Sequence, residues 1–275
     1  MKIQFALVFV FWAMASWAQP EKGAAEVLQD KMIWSGDDTG KAEYTVFRKT
    51  FAVQDVPSAT IHLFADARYI LWLNGVQVSR GPCRFDPKSP SFDSIDITSF
   101  LQQGLNAVAV LVMSHGSNGK MMNHAPGLCA EIDLRDQLQQ SRTIWTDESW
   151  KWNSRTRFMP PVQDWGVVCD RVDARIDDGD WSLAEYDDRH WQSAVSIDGR
   201  QWGKLVPRPI PLLKESEMGW TALNNSALPA KLKQGQSYII QAREMLQGFP
   251  VIRFTAEEGA VIQFEGLMAD GTGFD

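Results

Sequence analysis

From Tyr44 onward the chain alternates apolar and polar residues in short runs. Thr45, Phe47, Phe51 and Val53 share one parity, and Ile61, Leu63 and Ala65 share one in the next run. A period of two over five to eight residues predicts half-buried strands, because successive strand side chains leave opposite faces. The segments YILWL (69–73) and VQVSR (76–80) flank Asn74-Gly75. That dipeptide tolerates the two positive φ angles of a tight hairpin turn, so the stretch predicts two strands joined by two residues. Residues 107–113 are almost wholly apolar, which predicts a strand covered on both faces and central in its sheet. Leu128, Ala130, Ile132 and Leu134 alternate with Cys129, Glu131 and Asp133, which predicts a strand with one wet face.

Further strands are predicted at 142–146, 150–154 and 167–176, separated by turn-rich segments at 81–91, 116–127 and 177–180. Helical periodicity is weak, with short candidates only at 97–101 and 183–191 and a polar leader over 19–32. Many short strands at regular spacing predict an all-β sandwich or jelly roll. LVPRPIPLLKESE (205–217) breaks the pattern: its prolines cannot pair inside a sheet, so it reads as an extended connector. A second strand series follows at 237–245, 251–255 and 260–264 and stops at Asp275. So few strands cannot bury a full core, which predicts an incomplete second sandwich and a missing remainder. The expected organisation is a signal peptide (1–18), a jelly roll (33–205), a Pro-rich connector (206–219) and an incomplete second β-sandwich (220–275).

The first segment has Lys2, an apolar run from Phe5 to Ala15, and Ser16-Trp17-Ala18 as a small-residue cleavage site. This layout predicts export to the periplasm or the exterior. The run is too short for the roughly 20 apolar residues of a membrane span. A net charge of −7 argues against nucleic acid and anionic membranes, whose ligands carry basic patches. Cys83, Cys129 and Cys169 are widely spaced, without the pairs of a metal cage. Twelve Trp among 275 residues matter more, since flat indole faces serve both cores and sugar contacts.

Several stretches together resemble the N-terminal region of bacterial α-L-rhamnosidases of glycoside hydrolase family 78. They are Ile33-Trp34 with FRKTF (47–51), RYILWLNGVQVSRGP (68–82), FDSIDITSFLQQGLNAVAVLV (92–112), VDARIDDGDWSLAEYDDRHWQSA (172–194) and PRPIP (207–211). The resemblance implies a galactose-binding-like jelly roll, then the start of the next sandwich. It also implies a multidomain enzyme whose (α/α)6 barrel inverts the anomeric centre with two carboxyl groups. No helix-patterned stretch here supplies that barrel, so no catalytic residue is assigned. The carboxylate doublets Asp177/Asp178 and Asp187/Asp188 read as turn residues.

Carbohydrate is then the expected partner, together with the absent catalytic domain. Loop positions with sugar-type chemistry are Arg68, Asn74, Arg80, Arg84, Trp165, Asp173 and Arg175. Asn74 also fits a plain turn role, and Asp173 with Arg175 a structural ion pair. Ca2+ is a candidate ion for the oxygen-rich segments 85–93 and 177–180. Two other readings stay open: a free-standing carbohydrate-binding protein, and the sugar-binding domain of a β-galactosidase-type enzyme.

Overall fold

The computed structural model describes residues 24–36, 40–54, 58–116, 125–136, 140–164 and 167–213, with scattered positions up to 274. The segment expected as a signal peptide and most of the second strand series lie outside the described residues. The chain divides into two compact units, Met1–Leu212 and Leu213–Asp275.

The first unit opens with a short helix, α1 (Ala24–Gln29). The strands follow as β1 (Ile33–Trp34), β2 (Glu43–Val53), β3 (Ser58–Asp66), β4 (Arg68–Leu73), β5 (Val76–Gly81), β6 (Ser91–Asp96), β7 (Gly104–Ser114) and β8 (Gly127–Arg135). After them come β9 (Ser141–Trp145), β10 (Lys151–Asn153), β11 (Phe158–Asp164), β12 (Val167–Val172), β13 (Gln192–Ser193), β14 (Val195–Ser196) and β15 (Val206–Pro207). One sheet runs β14-β1-β8-β3-β6-β15, with β9 also on β8; the other runs β13-β10-β2-β7-β4-β5. All these pairings are antiparallel except β15 with β6. We refer to them as the first and second sheets.

The alternation places the core. Ile61, Leu63 and Ala65 of β3 meet Phe47, Phe51 and Val53 of β2 in one cluster between the sheets, joined by Leu128, Ala130 and Ile132 of β8. β7 pairs with β2 along its whole length and with β4 on its other side. Its Val108, Val110 and Val112 enter that core, while Ala109, Leu111 and Met113 join a second cluster on the outer face. Both faces are covered, which is why the run carries almost no polar residue. The hairpin forms as predicted, with Asn74 at φ 49° and Gly75 at φ 84°.

The structure corrects several expectations. The leader contains α1, whose Leu28 is fully buried against Phe64, Cys129, Trp202 and Leu205 on the outer face of the first sheet. β8 therefore has no continuous wet face: Cys129 is buried, and only Glu131, Asp133 and Arg135 reach solvent. β11 lies outside the predicted strands and contains Pro160 and Pro161; the ladder to β12 shifts register there, where an irregularity tolerates residues without an N–H. β12 ends at Val172, so 173–176 turns instead of continuing the strand. The segment 183–191 forms turns, not a helix, because its first carbonyls accept from an arginine instead of amides four residues on. The 3-10 turn Thr98–Phe100 does form. The proline-rich stretch pairs after all, through β15, but at a sheet edge as proline requires.

In the second unit the described strands are β16 (Thr221–Ala222) paired with β17 (Ile240–Gln241), and β18 (Gly266–Leu267) paired with β19 (Gly273–Phe274).

Candidate functional site

The loop residues expected to meet sugar are spread along the first unit. Arg68 is exposed at the head of β4, and Arg84 is exposed in the loop after β5. Asn74 is consumed by its own turn: its amide donates to the Phe100 carbonyl (2.9 Å) and Asn106 Oδ1 (2.8 Å), and its Oδ1 accepts from the Ala107 N–H (2.9 Å). Arg80 is half-buried on β5 and reaches Gln77 Oε1 at 3.2 Å. Asp173 and Arg175 are brought together as a local fork at 2.8 and 2.7 Å. The Arg175 guanidinium holds the Asp173 carboxyl down to about 2. Trp165 lies outside the described residues.

Four of the five acids in the two segments considered for calcium, Asp86, Asp93, Asp177 and Asp178, have protein partners. Asp93 is fully buried, accepting from the Tyr69 hydroxyl (2.5 Å) and Arg208 (2.9 Å). Asp86 accepts from the Lys88 N–H, Asp177 from the Gly179 N–H, and Asp178 is held by Arg157. Among the described residues no three His, Cys, Asp or Glu side chains group as metal ligands. These loops do not fit a Ca2+ cage, which wants six to eight oxygens.

The most developed surface feature is a cap over the outer face of the second sheet. Tyr44, Val46, Ala109, Leu111 and Met113 would be an exposed apolar patch without it; Trp181 and Trp191 cover them. Trp72 meets Trp181 edge-on, with ring centres 5.0 Å apart. Arg48 of β2, fully buried, fixes the cap. Its Nε donates to the Trp181 carbonyl (2.9 Å), its second nitrogen to the carbonyls of Leu183 (2.6 Å) and Ala184 (3.1 Å), and its third pairs with Asp188. A second arginine, Arg157, binds Asp178 through Nε (2.7 Å) and its own N–H (2.9 Å). Burial would raise Asp178, but the Arg157 hydrogen bonds outweigh it and keep the carboxyl below its usual range.

Between this cap and the turn after β10 lies a cleft of about 330 Å³, lined by Asn153 and Arg155 from the turn and by Asp177, Asp178, Gly179, Tyr186 and His190 from the cap. The Arg155 guanidinium is exposed and makes no hydrogen bond or ion pair among the described residues. The Tyr186 ring is backed by Arg48, whose guanidinium carbon is 5.6 Å from the ring centre. The His190 ring is 6.3 Å from it. A larger hollow of about 390 Å³ near Trp34, Pro126 and Ile197 offers Asp198, already committed to Arg200. The smaller cleft thus holds a guanidinium, a carboxylate, an amide and an aromatic ring within one concavity.

That set can bind hydroxyls but is poorly suited to cleaving a glycosidic bond. A general acid needs a carboxyl whose pKa is raised, and Asp178 is shifted the other way. Asp177 is its direct neighbour, not a partner across a scissile bond. Sequence reasoning missed Asn153, Arg155, Tyr186 and His190. Its usable signal was the recurrence of Asp-x-Arg turns, which separates arginines with a local carboxylate from Arg155, which has none.

Comparison with known proteins agrees with this architecture. Residues 54–217 match the family model described as Alpha-L-rhamnosidase N-terminal domain. The chain is 20% identical to an alpha-L-rhamnosidase of Alteromonas sp. (strain LOR), over 91% of this chain and 30% of that protein. Among solved structures, the GH78 family rhamnosidase of Bacillus sp. GL1 superposes with a TM-score of 0.62 at 33% identity, over 70% of this chain and 21% of that one. The alpha-L-rhamnosidase of Dictyoglumus thermophilum gives 0.57 at 20% identity, over 68% and 23%. The chain therefore spans less than a third of these relatives. With the family match running from the end of β2 through the connector, on an all-β sandwich, the chain belongs to the α-L-rhamnosidase N-terminal domain family.

Proposed function

We propose that this chain is the accessory, glycan-handling part of an exported α-L-rhamnosidase-type glycoside hydrolase acting on rhamnose-containing glycans. Bond cleavage then belongs to a separate catalytic domain of (α/α)6 type, its partner. The carrying observation is the family match over 54–217 in a chain that spans 30% or less of its relatives. The pattern at 1–18, a positive start, an apolar run and a small-residue site, supports export. No helix among the described residues is long and apolar enough to cross a membrane. Asp178, Asp187 and Asp188 of the cap are committed to arginines, which supports binding in preference to hydrolysis.

Native gel electrophoresis through rhamnogalacturonan, with rhamnose-free dextran as the control gel, tests this reading. The chain is expected to be retarded only in the first. Equal mobility in both gels would count against a glycan-handling role. Release of p-nitrophenol from its α-L-rhamnoside by the purified chain, abolished by one substitution within it, would count against separate catalysis.

A further inference from the structure

We propose that the cleft between the turn at 153–155 and the cap at 177–190 is a binding site for one neutral pyranose ring. The proposal rests on the reading of the chain as a glycan-handling part and names the site and ligand class within it.

Three observations carry it. First, the cleft has one uncommitted group of each polarity. Arg155 and Arg157 lie two residues apart, yet Arg157 is locked on Asp178 while Arg155 is turned loose, its backbone N–H fixed by Asn153 Oδ1 at 2.9 Å. Asp177 spends one oxygen on the Gly179 N–H (3.1 Å), and its other has no partner among the described residues. A guanidinium donates two parallel N–H groups and a carboxylate accepts two hydroxyls, so the pair suits adjacent hydroxyls on a ring.

Second, the floor is rigid. Gly179 sits at φ 66°, and a Cβ there would come within 2.9 Å of the Tyr186 ring, so the backbone lies directly against the aromatic edge. With Arg48 behind the ring, Tyr186 is fixed as an apolar wall for the C–H face of a sugar. Such preorganisation lowers the ordering cost of binding.

Third, the lining carries both signs. Asp178 is paired with Arg157, which also feels Asp180 and Asp177, and Arg155 lines the same cleft as Asp177. A carboxylated or phosphorylated ligand would gain at Arg155 and lose at Asp177, whereas a neutral polyol meets both favourably. At about 330 Å³ the cleft is at the small end of ligand pockets, suited to a single ring.

Titration calorimetry of the full chain with methyl α-L-rhamnopyranoside, methyl β-D-galactopyranoside and methyl β-D-glucuronide tests the proposal. At least one neutral glycoside is expected to bind, with the glucuronide about tenfold weaker. Arg155→Ala and Asp177→Asn should each weaken the neutral ligand about tenfold or more, as charged hydrogen bonds do. Asparagine keeps the acceptor for Gly179, so the turn survives. Arg135→Ala, on the opposite sheet, should change nothing. Unchanged affinity in both cleft variants would overturn the site while leaving glycan handling intact. Preference for the glucuronide would overturn the ligand class. A chain binding no monosaccharide but still retarded by rhamnogalacturonan would overturn the single-ring site. One failing both tests would overturn the underlying reading too.

Discussion

The two outer faces of the sandwich solve the same problem with different chemistry. Each would expose a strip of apolar residues, and each is covered by a non-sheet segment carrying tryptophan. Over the first sheet the cover is neutral. Leu28 and Leu205 pack beside Trp202, and Gln29 collects the carbonyls of Gly199, Trp202 and Gly203 at 3.0 to 3.2 Å. Over the second sheet the cover is pinned by charge, through Arg48 with Asp188 and Arg157 with Asp178. The hollow beside the neutral cover offers one acid, Asp198, already held by Arg200. The charged cover ends in uncommitted polar groups at its rim, and there the smaller cleft opens.

Arg48→Met is the severest test of that difference. It leaves Asp188 and three carbonyls without their donor, and breaking a buried pair from one side costs about 3–5 kcal/mol. Urea unfolding should show a loss of that size, partly recovered when Asp188→Leu is added. A loss under 1 kcal/mol would mean that the tryptophans alone hold the cap. Trp202→Phe on the neutral side keeps most of the packing but removes the 2.8 Å bond from the indole N–H to buried Asp66. About 1–3 kcal/mol should be lost, because a buried acceptor is left without that donor.

Glu131→Gln probes the part of the first sheet that stays uncovered. Burial, reinforced by Asp133, pushes the Glu131 carboxyl up, and its Oε2 is shielded without a hydrogen-bond partner. A raised folded pKa means that its stabilising contribution is complete below the unfolded value and lost as pH climbs through the folded one. Glutamine imitates the protonated form, so the variant should melt higher than wild type at neutral pH and equally at pH 3. A lower melting temperature at neutral pH would show that the carboxylate is satisfied. Smallest of all, Asp187→Asn breaks an exposed fork with Arg189 and should leave the melting curve unchanged.

Strand periodicity made most of the sandwich legible. The doubly apolar run of β7, the Asn74-Gly75 hairpin and the parity of β3 depend on local pattern, and each appears where the pattern put it. What escaped depends on distant partners. α1 has six residues, too few for a readable amphipathic face, and is defined by the pocket into which Leu28 fits. Residues 183–191 have helix-like spacing, but Arg48, more than a hundred positions earlier, takes their carbonyls. The cleft was illegible for the same reason. Arg155 lacks the Asp-x-Arg context that Arg175 has, but the sequence does not show what surrounds it, and only the fold sets it in one cleft with Asp177 and Tyr186.

The edge strand β15 has a mechanical consequence. Its residues run parallel to β6, and Arg208 just beyond grips Asp93 in the interior. Detaching this edge strand requires breaking its hydrogen bonds to β6 and extracting a buried ion pair, so the end of the first unit is anchored in its interior. Replacing Arg208 would turn the anchor into a zipper.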